Sequence, residues 1–388
     1  MIKKKLIRIV TDPISFKKLL TGQLAFMREY YDVIAVSSAE EKLLEIGEKQ
    51  EVRTFTTFLS RKITPWLDLK AIYYLYRFFK SESPFIVHTH TPKAGFVGMA
   101  ASFLACVPCK LHTVAGLPLM ESYGMKRKIL EIVEKLTYML ADKVYPNSFG
   151  LKEFIIKNKF CNKNKLKVIG YGSSNGIDTN YFSMNNDIVK SAEKLKVELG
   201  IKGDDFVFCF IGRVVKDKGI NELLYSFNEI NRNNKNTKLL LVGPFEEDLD
   251  PISNTSKEII NGNKNIIHCG WQDDVRQYLA ASDALVFPSY REGFPNVPMQ
   301  AGAMGLPCIV SNINGCNEII ENGKNGLIVE PKNRNELIAA MLKLKNNNDL
   351  RLYLAGNARD MVTSRYEQIN VWNEILKEYK RLEIEYLK

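Results

Sequence analysis

Residues 206–219 read FVFCFIGRVVKDKG, and this stretch decides how the rest of the chain is parsed. The run Phe206–Ile211 is far too short to span a bilayer and has the unbroken apolar character of a strand covered on both faces. Gly212 ends it, Arg213 and Lys218 flank a short polar turn, and Gly219 opens an apolar pattern of helical period. Strand, glycine turn and helix in that order form the repeating unit of a parallel sheet with helices on both sides.

The same rhythm runs outward in both directions. Towards the C-terminus, strands are expected at Lys238–Val242, Asn265–Cys269, Ala284–Phe287, Pro307–Val310 and Gly326–Val329, with helices between and after them. Towards the N-terminus, strands are expected at Leu6–Val10, Val33–Ser37, Phe85–Val87, Lys110–Val114, Lys143–Tyr145 and Lys167–Ile169. Helices are expected at Pro92–Ala105 and Lys126–Ala141. The chain has 388 residues, which suits two domains. We place them at 1–190 and 191–365, followed by a terminal helix over 366–388. Two doubly wound domains facing each other across a cleft put the loops after the strands where ligands bind.

Charge separates the halves. Residues 1–172 carry 28 Lys and Arg against 15 Asp and Glu, and the remainder carry 26 against 29. A basic first half points to an anionic partner, either nucleic acid or a membrane surface. Phe58–Lys80 favours the membrane: Phe58, Leu59, Trp66, Leu69, Tyr73, Tyr74, Tyr76, Phe78 and Phe79 alternate with Arg61, Lys62, Lys70, Arg77 and Lys80. A packed helix with a wet polar face would give the same composition. No recognition module or zinc-finger spacing supports nucleic acid, so none is expected as a partner. No signal peptide and no apolar run of spanning length is legible, which leads us to expect a cytoplasmic protein. The seven cysteines are scattered and contain a single CxxC, Cys106–Cys109, so they are expected as reduced thiols without a structural zinc.

The loops after the strands carry the chemistry. Arg213 offers a rigid donor fork and Lys218 a mobile point charge, and both suit a diphosphate. The GxxxxGK[ST] spacing of a P-loop is absent. After Ala284–Phe287 comes SYREGFPNVP, residues 289–298, in which Asn296 is expected to cap a helix with Pro298 in its first turn. Glu292 in that loop suits two neighbouring sugar hydroxyls, and Gln300 a ribose hydroxyl. One ligand with phosphates in the middle and sugars at both ends fits these sites, and that ligand is a nucleotide sugar. A solvated basic turn and a surface acid are the simpler readings of Arg213, Lys218 and Glu292 taken singly.

In the first half, Gly22 allows close approach to the chain, and Thr91 with Pro92 reads as a helix start. His88, His90 and His112 lie at strand ends. An HxH with one distant histidine and no clear carboxylate is a weak metal signal, so no metal is expected, and one or two of the three are expected to line the cleft. Gly116 marks a turn after the strand at 110–114. Lys126 and Arg127, with Lys128, are expected to meet the diphosphate of a lipid-linked acceptor.

These residues resemble glycosyltransferase family 4, the retaining enzymes of GT-B fold, over nearly the whole length of the chain. The specific pieces are Gly212–Gly219, Arg291–Pro307 and His88–Gly95. The resemblance is to the bacterial subgroup building capsule, O-antigen and related glycans on undecaprenyl diphosphate. It implies that Arg213 and Lys218 hold the donor diphosphate, with the loop at Gly212. Glu292 would meet the donor sugar, and the amides at Gly293, Phe294 and Asn296 would help the phosphate. Gly22 would be the first-loop glycine. It implies a UDP-sugar donor, a polyprenyl-diphosphate-linked saccharide acceptor, no metal or other cofactor, and attachment to the inner face of the cell membrane. Two departures stand out: Gln300 replaces a second glutamate, and Ala115 stands in the loop where many relatives have histidine. The competing readings are a UDP-sugar 2-epimerase of GT-B-like fold and a basic binding protein without chemistry.

Overall fold

The computed structural model describes residues 3–60, 64–246 and 250–386. Arg61 and Lys62 of the aromatic and basic segment lie outside the described residues. The chain divides into two units, Met1–Gly176 with Ile369–Lys388, and Ile177–Gln368. The changeover precedes residue 190 because helix Asn186–Glu198 packs on helix Arg276–Ala280 of the second unit.

The first unit holds six parallel strands: β1 (Lys5–Ile9), β2 (Asp32–Ser37), β3 (Arg53–Thr56), β4 (Ile86–Thr89), β5 (Cys109–Val114) and β6 (Lys143–Pro146). Their order is β3-β2-β1-β4-β5-β6. Ile7 pairs with Ile34 on one side and Val87 on the other. Leu6, Ile7 and Ile9 are fully buried because helices cover both faces, as an all-parallel sheet requires. The expected strand at Lys167–Ile169 is absent; Leu166 makes only an isolated bridge to Val144. Helices Pro65–Glu82, Pro92–Leu104 and Gly124–Leu140 follow β3, β4 and β5, and the middle one packs against both others.

The second unit holds β7 (Phe206–Ile211), β8 (Thr237–Val242), β9 (Ile266–Gly270), β10 (Ala284–Phe287), β11 (Cys308–Ser311) and β12 (Gly326–Val329). Their order, β12-β11-β10-β7-β8-β9, is the same winding read from the other edge. Phe208 pairs with Leu239 and Ala284. The core around it includes Phe210, Phe227, Leu240 and Val286, all fully buried.

Helix Gln368–Tyr386 belongs to the first unit. Its buried side, Val371, Ile375, Tyr379 and Leu382, joins the cluster of Leu6, Phe16 and Leu24. The spacings of four, four and three residues are those of one helical face.

Candidate active site

In a sheet wound this way, the connections diverge at one point, and ligands bind outside the strand ends there. In the second unit that point lies between β7 and β10. The loops after these strands are Gly212–Gly219 and Ser289–Pro298.

Glycines bring the loops into backbone contact. A Cβ on Gly219, whose φ is +70°, would lie 2.1 Å from the Pro288 carbonyl oxygen. A Cβ on Gly243, at φ +143°, would lie 1.9 Å from the Gly212 carbonyl oxygen. No side chain fits either place. Tyr290 N–H then donates to the Asp217 carbonyl at 2.9 Å, locking the two loops.

Lys218 and Glu292 meet as an ion pair with side chains only 15% and 16% exposed. The Ser289 hydroxyl donates to the same carboxylate oxygen at 3.0 Å. Arg213 lies further out, 42% exposed, and pairs with Glu246 at 2.6 Å. Arg291 pairs with Asp217 at 3.1 Å, and Tyr290 OH donates to Glu222 at 2.5 Å. Helices Ile220–Asn233 and Asn296–Ala303 both start at this edge, so their N-terminal amides add positive potential. The edge gathers three cations, each paired to its own carboxylate, and two helix starts; a diphosphate can take over the cations while a freed carboxylate such as Glu292 accepts from a polyhydroxylated group.

Some expected details change here. Pro295, not Asn296, occupies the capping position; Asn296 is the first helical residue, and no side-chain cap bond forms. The Phe294 ring is buried against Tyr366 at 5.3 Å between centroids, so only its backbone belongs to the loop. The Asn314 side-chain amide donates to the carbonyls of Glu292 and Gly293, at 3.2 Å for the latter. Gln300 is half-buried one turn along helix Asn296–Ala303.

In the first unit the corresponding point lies between β1 and β4. Thr91 occupies the cap position before Pro92, but its hydroxyl pairs with Thr11 across the switch point at 2.7 Å instead of capping its own helix. Gly22, at φ +76°, starts helix Gln23–Arg28, and a Cβ there would lie 2.7 Å from the Trp372 ring.

Arg8, fully buried on β1, organises the histidines. Its Nε donates to His90 Nε2 at 2.9 Å, its Nη1 to Tyr379 OH at 3.1 Å and its Nη2 to Gln23 Oε1 at 2.5 Å. His90 Nε2 therefore accepts, and the ring proton of neutral His90 sits on Nδ1. His88 is bound at both nitrogens, to Tyr379 OH at 2.6 Å and Thr113 Oγ1 at 2.8 Å. Burial, and then the nearby Arg8 charge, holds His88 well below the usual histidine range; burial, His88 and Arg8 do the same for His90.

His112 corrects the expectation that it lines a cleft. It lies under helix Pro92–Leu104, where a Cβ on Gly95 would come within 2.5 Å of its ring, and it bonds Thr89 at 2.8 Å. Burial pushes its pKa down to about 3. His88, with both nitrogens engaged by the chain, is likewise a structural tie. His90 keeps a buried ring nitrogen, Nδ1, without a partner, and it shares a small cavity with Asn147 and Ser174. The Asn147 Oδ1 and Ser174 Oγ atoms there are also buried and unpartnered, so the cavity suits one hydroxyl or water. Gly116 follows β5, while Lys126 and Arg127 lie on the first turn of helix Gly124–Leu140, with Arg127 bonded to Glu131 at 2.9 Å.

Sequence reasoning missed Arg8, Gln23, Glu246, Arg291 and Asn314. The Gly243-Pro244 pair after an apolar strand was the available signal for the Glu246 loop. Nothing local marks Arg8. Among the described residues, no group of three or more His, Cys, Asp or Glu is placed to hold a metal ion.

Comparison with known proteins places this geometry. The pattern "Glycosyl transferase 4-like domain" matches residues 25–172, and "Glycosyl transferases group 1" matches residues 191–361. The capsular polysaccharide biosynthesis glycosyltransferase CapM of Staphylococcus aureus is 32% identical over 379 residues, 98% of this chain and 97% of its own. The UDP-Gal:alpha-D-GlcNAc-diphosphoundecaprenol alpha-1,3-galactosyltransferase of Escherichia coli is 30% identical over 87% of this chain and 86% of its own. The crystal structure of Anabaena HepE in complex with UDP has the same fold, with a TM-score of 0.81 at 19% identity over 97% of this chain and 100% of that one. The chain belongs to the family 4 glycosyltransferases of GT-B fold, related to the transferases of capsule, O-antigen and undecaprenyl-diphosphate-linked glycan assembly.

Proposed function

We propose that this enzyme moves a hexose or N-acetylhexosamine from a UDP-sugar to a hydroxyl of an undecaprenyl-diphosphate-linked saccharide, with retention at the anomeric carbon. The observation that carries the reading is the cluster of Arg213, Lys218 and Glu292 at the β7/β10 switch point. The E. coli relative uses a UDP-sugar and a diphosphoundecaprenol-linked acceptor, and the HepE crystals hold UDP.

In this scheme the bond from the anomeric carbon to the UDP oxygen breaks through an oxocarbenium-like transition state. Negative charge grows on the leaving diphosphate. Arg213, Lys218 and the amides at Gly293, Phe294 and Asn296 stabilise it more in the transition state than before it. Glu292 holds the sugar hydroxyls and fixes Lys218. Gln300 binds a ribose hydroxyl, and Gly22 is assigned to donor binding as the first-loop glycine. The acceptor oxygen forms the new bond, and its proton passes to the departing diphosphate. No protein base is needed, which accommodates Ala115. On the acceptor side, His90 Nδ1–H donates to a hydroxyl, and Lys126 and Arg127 meet the lipid diphosphate. No helix among the described residues is long and apolar enough to cross a membrane. We place the enzyme peripherally on the cytoplasmic face, where its acceptor is presented.

The test is incubation with a panel of UDP- and GDP-sugars and short polyprenyl-diphosphate saccharides, with products identified by mass and linkage. Arg213→Ala and Lys218→Ala should each lower transfer by about 10²–10³-fold while circular dichroism stays native. Near-normal turnover in both would overturn the phosphate assignment. Isomerisation of a UDP-sugar without acceptor would make the enzyme an epimerase.

A further inference from the structure

Helix Gly124–Leu140 faces the wrong way for a water-soluble surface. Its buried residues are Glu134, Thr137 and Tyr138. Its outward stripe is Met125, Ile129, Ile132, Leu136 and Met139, each 37–70% exposed. The spacings of four, three, four and three residues keep these five side chains in one line. Tyr138, Leu130 and Leu140 pack on the core, so the exposed methionines and isoleucines form a second apolar stripe aimed away from it.

A second apolar group lies on the same side of the sheet. Helix Pro65–Glu82 exposes Trp66 at 84%, with Leu69 and Tyr73 also exposed, and Tyr123, just before helix Gly124–Leu140, is 82% exposed. Both helices flank Pro92–Leu104. Because crossover helices run antiparallel to the strands, Trp66 and Tyr123 lie towards the C-terminal edge of the sheet, the edge that carries His90 and Gly116. Exposed cations sit among these groups: Lys70, whose Nζ is 4.3 Å from the Phe58 ring centroid, Lys128 and Lys135.

We propose that helix Gly124–Leu140 and the start of helix Pro65–Glu82 together form a face that seats in an anionic lipid leaflet. The stripe and Trp66 enter the headgroup boundary, and the lysines meet the lipid phosphates. Charge complementarity favours lipid over a second copy of the chain, since two such lysine-bordered stripes would repel. This deepens the lipid-linked acceptor reading by giving that acceptor a surface beside the first unit's site edge, and it rests on that reading only for its purpose.

The test is flotation of the full chain with vesicles of phosphatidylglycerol and phosphatidylcholine in equal parts, or of phosphatidylcholine alone. Binding should require the anionic lipid. Ile132→Glu with Met139→Glu, and separately Trp66→Glu, should weaken it by about tenfold or more. Leu352→Glu with Tyr353→Glu, on an exposed helix of the second unit, should leave it unchanged. Transfer to a short-chain, water-soluble acceptor should survive in every variant and reports folding. Unchanged vesicle binding in the stripe variants would overturn the docking face and leave the enzymatic reading intact. So would a lipid-free dimer by light scattering that the same substitutions dissolve. Absence of transfer by the wild type, with vesicle binding intact, would overturn only the enzymatic reading.

Discussion

At position 134 a carboxyl group is only 3% exposed, on the helix whose other face carries the methionine stripe. Burial raises its pKa from 4.5 to about 7. The native state therefore keeps a proton that the unfolded chain has released between those values. The stability associated with the neutral form is complete below the unfolded value and is lost as pH rises through about 7. Glu134→Gln should remove that loss: in urea titrations it should stabilise the protein by about 1–3 kcal/mol at pH 8 and change little at pH 4.5. Equal pH dependence in both proteins would contradict this. Gly219 supplies a second prediction at this scale. Alanine there would meet the Pro288 carbonyl and keep a left-handed backbone, costing about 2–4 kcal/mol. Because Lys218 precedes it, UDP affinity measured by calorimetry should fall as well. The strand-end placement of Arg213, Lys218 and Glu292 was legible because each lies in a polar loop that follows a short apolar run. Their distant partners were not: Glu246 reaches Arg213 only through the fold, and the Arg8 bonds join residues 8, 90 and 379.

The terminal helix, Gln368–Tyr386, is held to the first unit by polar as well as apolar contacts. Trp372 rests on Gly22 and donates to Asn175 at 2.8 Å. Glu378 is bonded by Lys167, Arg381 and Tyr145. Burial alone would raise the Glu378 pKa, but Arg381 and Lys167 outweigh it and hold it down to about 2. The stabilisation this gives is present above the unfolded carboxyl value and is lost as pH falls towards and through about 2. Acid titration should therefore release this helix. Trp372 is the reporter, since Trp66 and Trp271 are already exposed. Its emission should move red with falling pH, and in Glu378→Gln the shift should lose that acid step. At this scale, legibility followed burial. Strands Phe206–Ile211, Ala284–Phe287 and Gly326–Val329 were read to the residue because each is a short apolar run. Edge strand Arg53–Thr56 was missed because only its pairing with β2 distinguishes RTFT from a loop. Helix Asn254–Gly262 was missed because its sequence, NTSKEIING, is polar and turn-like.

Over the whole molecule, the basic excess of residues 1–172 would add a screenable attraction to the proposed docking on anionic lipid. Raising salt from about 0.1 M to about 1 M shortens the screening length from about 10 Å to about 3 Å. Vesicle binding should then weaken several-fold yet persist in part, because the apolar stripe is not screened; complete loss, measured by flotation, would mean that charge alone holds the protein. The sequence by itself determined the two α/β units, most strand positions, the basic first half and the three charged residues at the strand ends. It did so because burial on both faces and glycine at tight turns are local demands written into consecutive residues. Only the tertiary structure decided which charges pair, that His112 and His88 are tied inside the first unit, and that helix Gly124–Leu140 turns its apolar stripe outward. These depend on which side of a helix meets the sheet and on contacts between residues distant in the chain, and neither spacing nor composition records them.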